Sequence, residues 1–179
     1  MARTTFQGPV RSLGGIYQQG PATVVEVTAS TTLDPVAHAG RIISVGGSLA
    51  ANVVLTLPSI NVSTNSITSG PGQDPNTLNN EGVVYTIWVP TTISTSSLKI
   101  GTDGTDKFVG SVISVDTDSS GAVVGFTAAS TNDFINLNGT TTGGIAGTWI
   151  TVTVLAAAKY FVQGVVLGSG SVATPFADS

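Results

Sequence analysis

Two runs near the C-terminus, residues 149–156 and 160–167, constrain the fold more than any other part of the chain. In the first, Ile150, Val152 and Val154 recur at every second position with Thr151 and Thr153 between them, the period of a half-buried strand and not of a helix. In the second, Tyr160, Val162 and Val166 take one face, and Phe161, Val165 and Leu167 take the other. Only Ala157, Ala158 and Lys159 separate the runs. Together they predict a hairpin at the centre of an antiparallel sheet, for which the rest of the chain must supply partners.

The preceding sequence offers those partners. Strands are predicted over ATVVEVTAS from Ala22, Arg41–Val45, Asn52–Leu57, VVYTIWV ending before Pro90, SLKIG, FVGSVISV, AVVGFTA and Asp133–Asn138. Gly46 and Gly47 suggest that the second and third of these form a hairpin. The expectation is an all-β fold, an antiparallel sandwich or barrel of roughly ten strands in one domain over 22–179. Composition agrees: Ser and Thr make up about a quarter of the 179 residues, 22 Gly and 8 Pro supply turns, and only 9% of residues are charged. A surface with so few charges loses little on leaving water, which suits a protein held in an assembly.

Two stretches depart from strand periodicity. Residues 1–21 contain Gly8, Pro9, Gly14, Gly15, Gly20 and Pro21, yet Phe6, Val10, Leu13, Ile16 and Tyr17 are too apolar for a free tail. This extended N-terminal arm is expected to pack on its own domain or on a neighbouring subunit. Residues 58–82 form a long loop rich in Asn, Ser, Gly and Pro, either a tolerated insertion or a surface for contact or display.

Six Lys and Arg against ten Asp and Glu argue against nucleic acid as a partner. Arg3 and Arg11 nonetheless place basic charge on the arm of an otherwise acidic body. No cysteine is present, which removes disulfides and thiolate metal sites. The first ten residues lack a signal-peptide apolar core, and Thr interrupts every apolar run before bilayer length, so a soluble chain without a membrane partner is expected.

Chemistry-bearing residues are sparse. Asp116, Asp118 and Ser120, with Gly121 at the sixth position, match the front half of a calcium loop, but Thr127 stands where the closing Glu belongs, and the same residues make ordinary hairpin turns. Asp103 and Asp106 occupy a similar turn. His38 is the only histidine, no Gly-x-Ser-x-Gly elbow accompanies it, and nothing brings together the only two glutamates, Glu26 and Glu81. No cofactor is expected and the chain is read as not an enzyme. Asn61 and Asn138 fit glycosylation sequons, for which a secreted context is lacking. Trp88, Trp149, Tyr85, Tyr160 and Phe161 could line a sugar-binding face, but their place within apolar strands assigns them to the core.

Several segments carry a family resemblance: Phe6-Gln-Gly-Pro-Val-Arg-Ser12, Thr56-Leu57-Pro58, the strand Tyr85–Val89, Asn138-Gly-Thr through Gly143-Gly144-Ile145, and Gly168-Ser-Gly170 through Ala173-Thr-Pro-Phe176. In these the chain resembles the capsid decoration, or cement, proteins of tailed bacteriophages, especially marine and cyanobacterial ones. It departs from them in a longer 58–82 loop and in Tyr160-Phe161 where Trp is expected. The resemblance implies a β-rich homotrimer, made in the host cytoplasm, that sits on the outer capsid surface and ties neighbouring major capsid proteins together. Under it, Arg3, Phe6, Val10, Arg11, Leu13 and Tyr17 are the capsid-binding residues. A fibre or tail attachment module and a carbohydrate-binding adhesin domain are the alternatives.

Overall fold

The computed structural model describes residues 20, 23–49, 51–63, 78–118 and 121–178. Twelve strands run through them: β1 (Val24–Glu26), β2 (Thr31–Thr32), β3 (Ile42–Ser44), β4 (Val53–Thr56), β5 (Val84–Trp88), β6 (Leu98–Gly101), β7 (Lys107–Asp116), β8 (Val123–Thr127), β9 (Phe134–Leu137), β10 (Trp149–Ala156), β11 (Lys159–Gly168) and β12 (Phe176–Ala177). The fold is all-β, with no helix among the described residues. β10 and β11 form the expected hairpin and lie at the middle of a seven-stranded sheet ordered β1-β3-β5-β10-β11-β7-β8. A second sheet has the order β12-β9-β6-β4-β2.

Both sheets are mixed rather than antiparallel. Up to β7 the chain alternates between them, so β1, β3 and β5 are parallel neighbours in the large sheet while β2, β4 and β6 are parallel neighbours in the small one. Parallel strands need a crossover to bring the chain back in the same direction. Here a strand of the other sheet supplies it, in place of the usual helix. The expected β3–β4 hairpin is therefore absent. The strands lie in different sheets, and Gly47 between them donates its N–H to the Thr91 carbonyl (2.9 Å) and accepts from Ser94 N–H (3.1 Å).

The inward faces of both sheets share one apolar core. From the large sheet come Ile43, Tyr85, Ile87, Phe108, Ile150, Val152, Val154, Tyr160 and Val162, and from the small sheet Val53, Leu55, Leu98, Ile100, Ile135, Leu137 and Phe176. Alternation along β10 and β11 places every second residue in this core, as their period predicts. Phe108 and Tyr160 meet in a tilted pair with ring centroids 6.3 Å apart.

The hairpin turns through Ala157 and Ala158, with Ala156 opposite Lys159 and a register shift between Val154 and Ala156. Ala158 has φ 58°, a left-handed conformation in which its Cβ crowds the backbone. Gly110, opposite Val162 across β7 and β11, has φ 114°, and a Cβ there would stand 2.2 Å from the Val162 carbonyl oxygen. Ala158→Gly should therefore raise the unfolding free energy by about 0.5–1 kcal/mol. Gly110→Ala should lower it by upwards of about 2 kcal/mol, both read from urea denaturation midpoints.

Candidate functional site

The polar side chains that sequence reasoning singles out mostly hold turns. Asp116 closes β7, and its Oδ1 accepts from Asp118 N–H (3.1 Å). Asp118 Oδ2 accepts from Gly170 N–H (2.8 Å), and the Thr117 hydroxyl donates to the Gly168 carbonyl (2.9 Å), which fastens the turn after β7 to the turn after β11. Ser120, the third residue of the calcium candidate, lies outside the described residues. Among the described residues no three His, Cys, Asp or Glu side chains group as metal ligands. His38 is buried in a turn, where its Nδ1 accepts from Asp34 N–H (2.9 Å) while Asp34 Oδ1 accepts from Ala37 N–H (2.6 Å). Asn138 organises the β9–β10 connection: its Oδ1 accepts from Thr140 N–H (2.9 Å) and Thr142 N–H (3.1 Å).

A second polar cluster closes the base of the 58–82 loop. Asp103 Oδ2 accepts from the Ser59 hydroxyl (2.7 Å), and Asp106 Oδ2 accepts from Ile60 N–H (2.9 Å). From the returning side, the buried Asn80 accepts from Asn61 N–H (2.9 Å) and donates to the Ser59 carbonyl (3.0 Å). The Tyr160 hydroxyl donates to the Pro58 carbonyl, and burial raises its pKa far above the ordinary phenol value. Residues 58–63 and 78–82 are thus pinned to the body, while 64–77 lie outside the described residues. The arm residues Arg3, Phe6, Val10, Arg11, Leu13 and Tyr17 lie outside them as well.

What the structure adds is the outer face of the seven-stranded sheet. Register places Trp88, Trp149, Val165 and Ile113 directly opposite one another across β5, β10, β11 and β7, so that their side chains form one row. Trp149 is 40% exposed, Ile113 49% and Val165 41%. Beside this row runs a polar, uncharged one, Thr86, Thr151, Gln163, Ser111 and Thr127, in the same register. The rows line a shallow, open depression of about 580 Å³ between Trp149, Thr151, Gln163, Val165, Ser111 and Ile113. Across β5, β10, β11 and β7 neither row carries a charge; the first row meets one only at the sheet edge, where it continues through Ser44 of β3 to Glu26 of β1.

The assignment of aromatics to the core holds for Tyr85 and Tyr160, which are fully buried, and fails for Trp149, Trp88 and Phe161, which lie on the outward side of the large sheet, Trp88 and Phe161 half-buried there. The signal was in the period: Trp149 shares parity with Thr151 and Thr153, opposite to Ile150 and Val152, and Trp88 shares it with Thr86. Burying the exposed part of Trp149 alone would gain on the order of 2 kcal/mol. A central strip with this residual gain and no charge to desolvate can bind another protein surface or a stacked ring.

Compared with known proteins, the chain matches no family model, no curated protein and no solved structure.

The loop base gives a pH test. Backbone N–H groups of Asp106 and Thr105 and the Ser59 hydroxyl hold the Asp103 carboxyl below its ordinary pKa, whereas burial holds Asp106 above it. Asp103 thus stabilises the fold above the ordinary carboxylate pKa and loses that contribution as pH falls through its depressed value. Asp106 has the opposite sign: its contribution is present at low pH and is lost as pH rises through its raised value. Asp103→Asn should destabilise most at neutral pH, with a cost that fades as pH falls below the ordinary carboxylate pKa, and Asp106→Asn should cost more at low pH than at neutral. Urea midpoints of both variants at the two pH values check this.

Proposed function

We propose that the chain is a capsid decoration subunit of a tailed bacteriophage, a structural protein that acts by covering and bridging rather than by chemistry. The single observation that carries the proposal is the uncharged strip across β5, β10, β11 and β7 on the outer face of the large sheet, with its row Trp88, Trp149, Val165 and Ile113 left partly in water. A protein that works dispersed would gain by covering such a face with Lys and Glu. One that works bound keeps it free of charges that must be desolvated.

In this proposal the two sheets are the layers of a rigid sandwich with one shared core. The outer face and the arm, residues 1–21 with Arg3, Arg11 and Phe6 as anchors, together bury against the major capsid protein. Three copies make a homotrimer, so modest contacts at each subunit sum to firm attachment, and they favour whichever shell conformation presents the matching surface. The pinned base of the 58–82 loop supports its use as a fixed display or wedging element.

A second reading, carbohydrate binding, is favoured by one observation. Trp88 and Trp149 lie opposite each other with Thr86, Thr151 and Gln163 alongside, an aromatic platform flanked by hydrogen-bonding groups.

The test is rebinding to particles stripped of the protein, followed by co-sedimentation. Removal of residues 1–21, and separately the double substitution Ile113→Lys with Val165→Lys, should each lower occupancy by about tenfold or more while the exposed positions leave the fold intact. Full occupancy by both variants would overturn the proposal. Quenching of tryptophan fluorescence by an oligosaccharide, lost in Trp149→Ala, would favour the second reading instead.

A further inference from the structure

Sheet edges expose unpaired N–H and C=O groups, and natural proteins keep them short or charged. Three of the four edges here follow that rule. β1 has three residues and carries Glu26, while β12 and β2 have two residues each. The fourth, β8, does not. It runs five residues, Val123–Thr127, at the open side of the large sheet, with Val123 66% exposed. No charged residue and no proline occurs between Asp118 and Asp133.

The ladder shows which groups of β8 are open. Asp116 N–H donates to the Ala122 carbonyl (2.8 Å), and Ala128 N–H donates to the Gly110 carbonyl (3.0 Å). In the β7–β8 register these are hydrogen-bonded pairs, and so are the alternate pairs Ser114–Val124 and Val112–Phe126 that lie between them. The N–H and C=O groups of Val123, Gly125 and Thr127 therefore point away from β7, into solvent.

We infer that β8 is a self-association edge, pairing antiparallel with β8 of a second copy of this chain about a two-fold axis at Gly125. Three features select a second copy over an unrelated strand. The outward groups fall on residues symmetric about Gly125, so Val123 pairs with the partner's Thr127 and Gly125 with itself, for about six hydrogen bonds. The absence of charge from 119 to 132 leaves nothing to repel an identical strand. At the centre, Gly125 has no side chain, and the space around its Cβ position is empty to 4 Å. Pairing extends each seven-stranded sheet into one of fourteen and makes the two outer faces continuous. The inference goes beyond the capsid reading and does not rest on it. With threefold association, the two contacts together would give a closed assembly with D3 symmetry.

The full-length protein tests this by light scattering and by hydrogen exchange. The expected mass is an even multiple of the 18.0 kDa chain. Gly125→Pro removes an outward N–H that β7 does not use, and Thr127→Lys places a charge on the edge, so each should halve the mass. In the wild type, the amides of Val123, Gly125 and Thr127 should exchange at least about tenfold more slowly than in Thr127→Lys, a variant whose exposed site keeps the fold testable should the proline variant fail to fold. An odd multiple such as a trimer, or a mass and exchange pattern unchanged by Thr127→Lys, overturns the inference and leaves the capsid reading standing. Failure to rebind capsids with the β8 results as expected overturns the capsid reading alone.

Discussion

The fold depends on β11 being paired on both sides along most of its length. It meets β10 antiparallel from Val165 back to Lys159, and β7 parallel over the whole of Lys159–Gly168. Hydrogen-bond demand at the centre of a sheet is met only if both neighbours arrive in register, because an unpaired buried amide costs about as much as a lost hydrogen bond. The inward side chains of the strand, Tyr160, Val162 and Val166, are fully buried, so a slip by one residue would turn them outward. Register at β11 thus sets where β10 and β7 lie, and through β10 the position of β5 and the parallel strands beyond it.

Around that strand the few charged groups tie connections to the body. Lys107 Nζ lies 2.8 Å from the buried carboxylate of Asp133, joining the start of β7 to the residue before β9 in the other sheet. Asp103, Asp106 and Asn80 pin the loop base, and Asp118 joins two turns. Lys99 of β6 sits 5.8 Å from the centroid of the Phe134 ring on the outer side of the small sheet. Charge is thus used at turns and between sheets, and on the outer face of the large sheet it is kept to the margins, at Glu26 of the edge strand β1 and Lys159 at the hairpin end, away from the central strip of β5, β10, β11 and β7.

Ten of the twelve strands were legible in the sequence, because period-two alternation reports burial residue by residue, whereas the two-residue β2 and β12 are too short to show a period. Spacing alone set Val152 against its Thr neighbours and put Val162 and Val165 on opposite faces, of which the structure buries Val152 and Val162 and leaves Val165 partly exposed. Trp149 was equally legible by parity, but its place within an apolar strand suggested the core. Pairing was not legible. β3 and β4 read as neighbours because Gly46 and Gly47 lie between them, whereas each pairs with a strand distant in sequence, β5 and β6. Nothing local distinguishes a glycine pair that folds a hairpin from one that lets the chain pass between sheets beside Thr91 and Ser94. The outer-face row is a property of four strands in register, so it existed only once the pairing was known.

The alternating course of the first half also governs when this protein can fold. β5 finds its second neighbour only in β10, where Trp88 meets Trp149, and β6 finds its own only in β9. Until those later strands exist, the parallel coil of β1 to β6 has open edges on both sheets. A chain emerging from the ribosome must therefore wait for its C-terminal third before the first can close, and folding is slow and nearly all-or-none in the manner of other high-contact-order topologies. Truncation from the C-terminal end should then leave a chain with no stable remnant, not a smaller version of the same body.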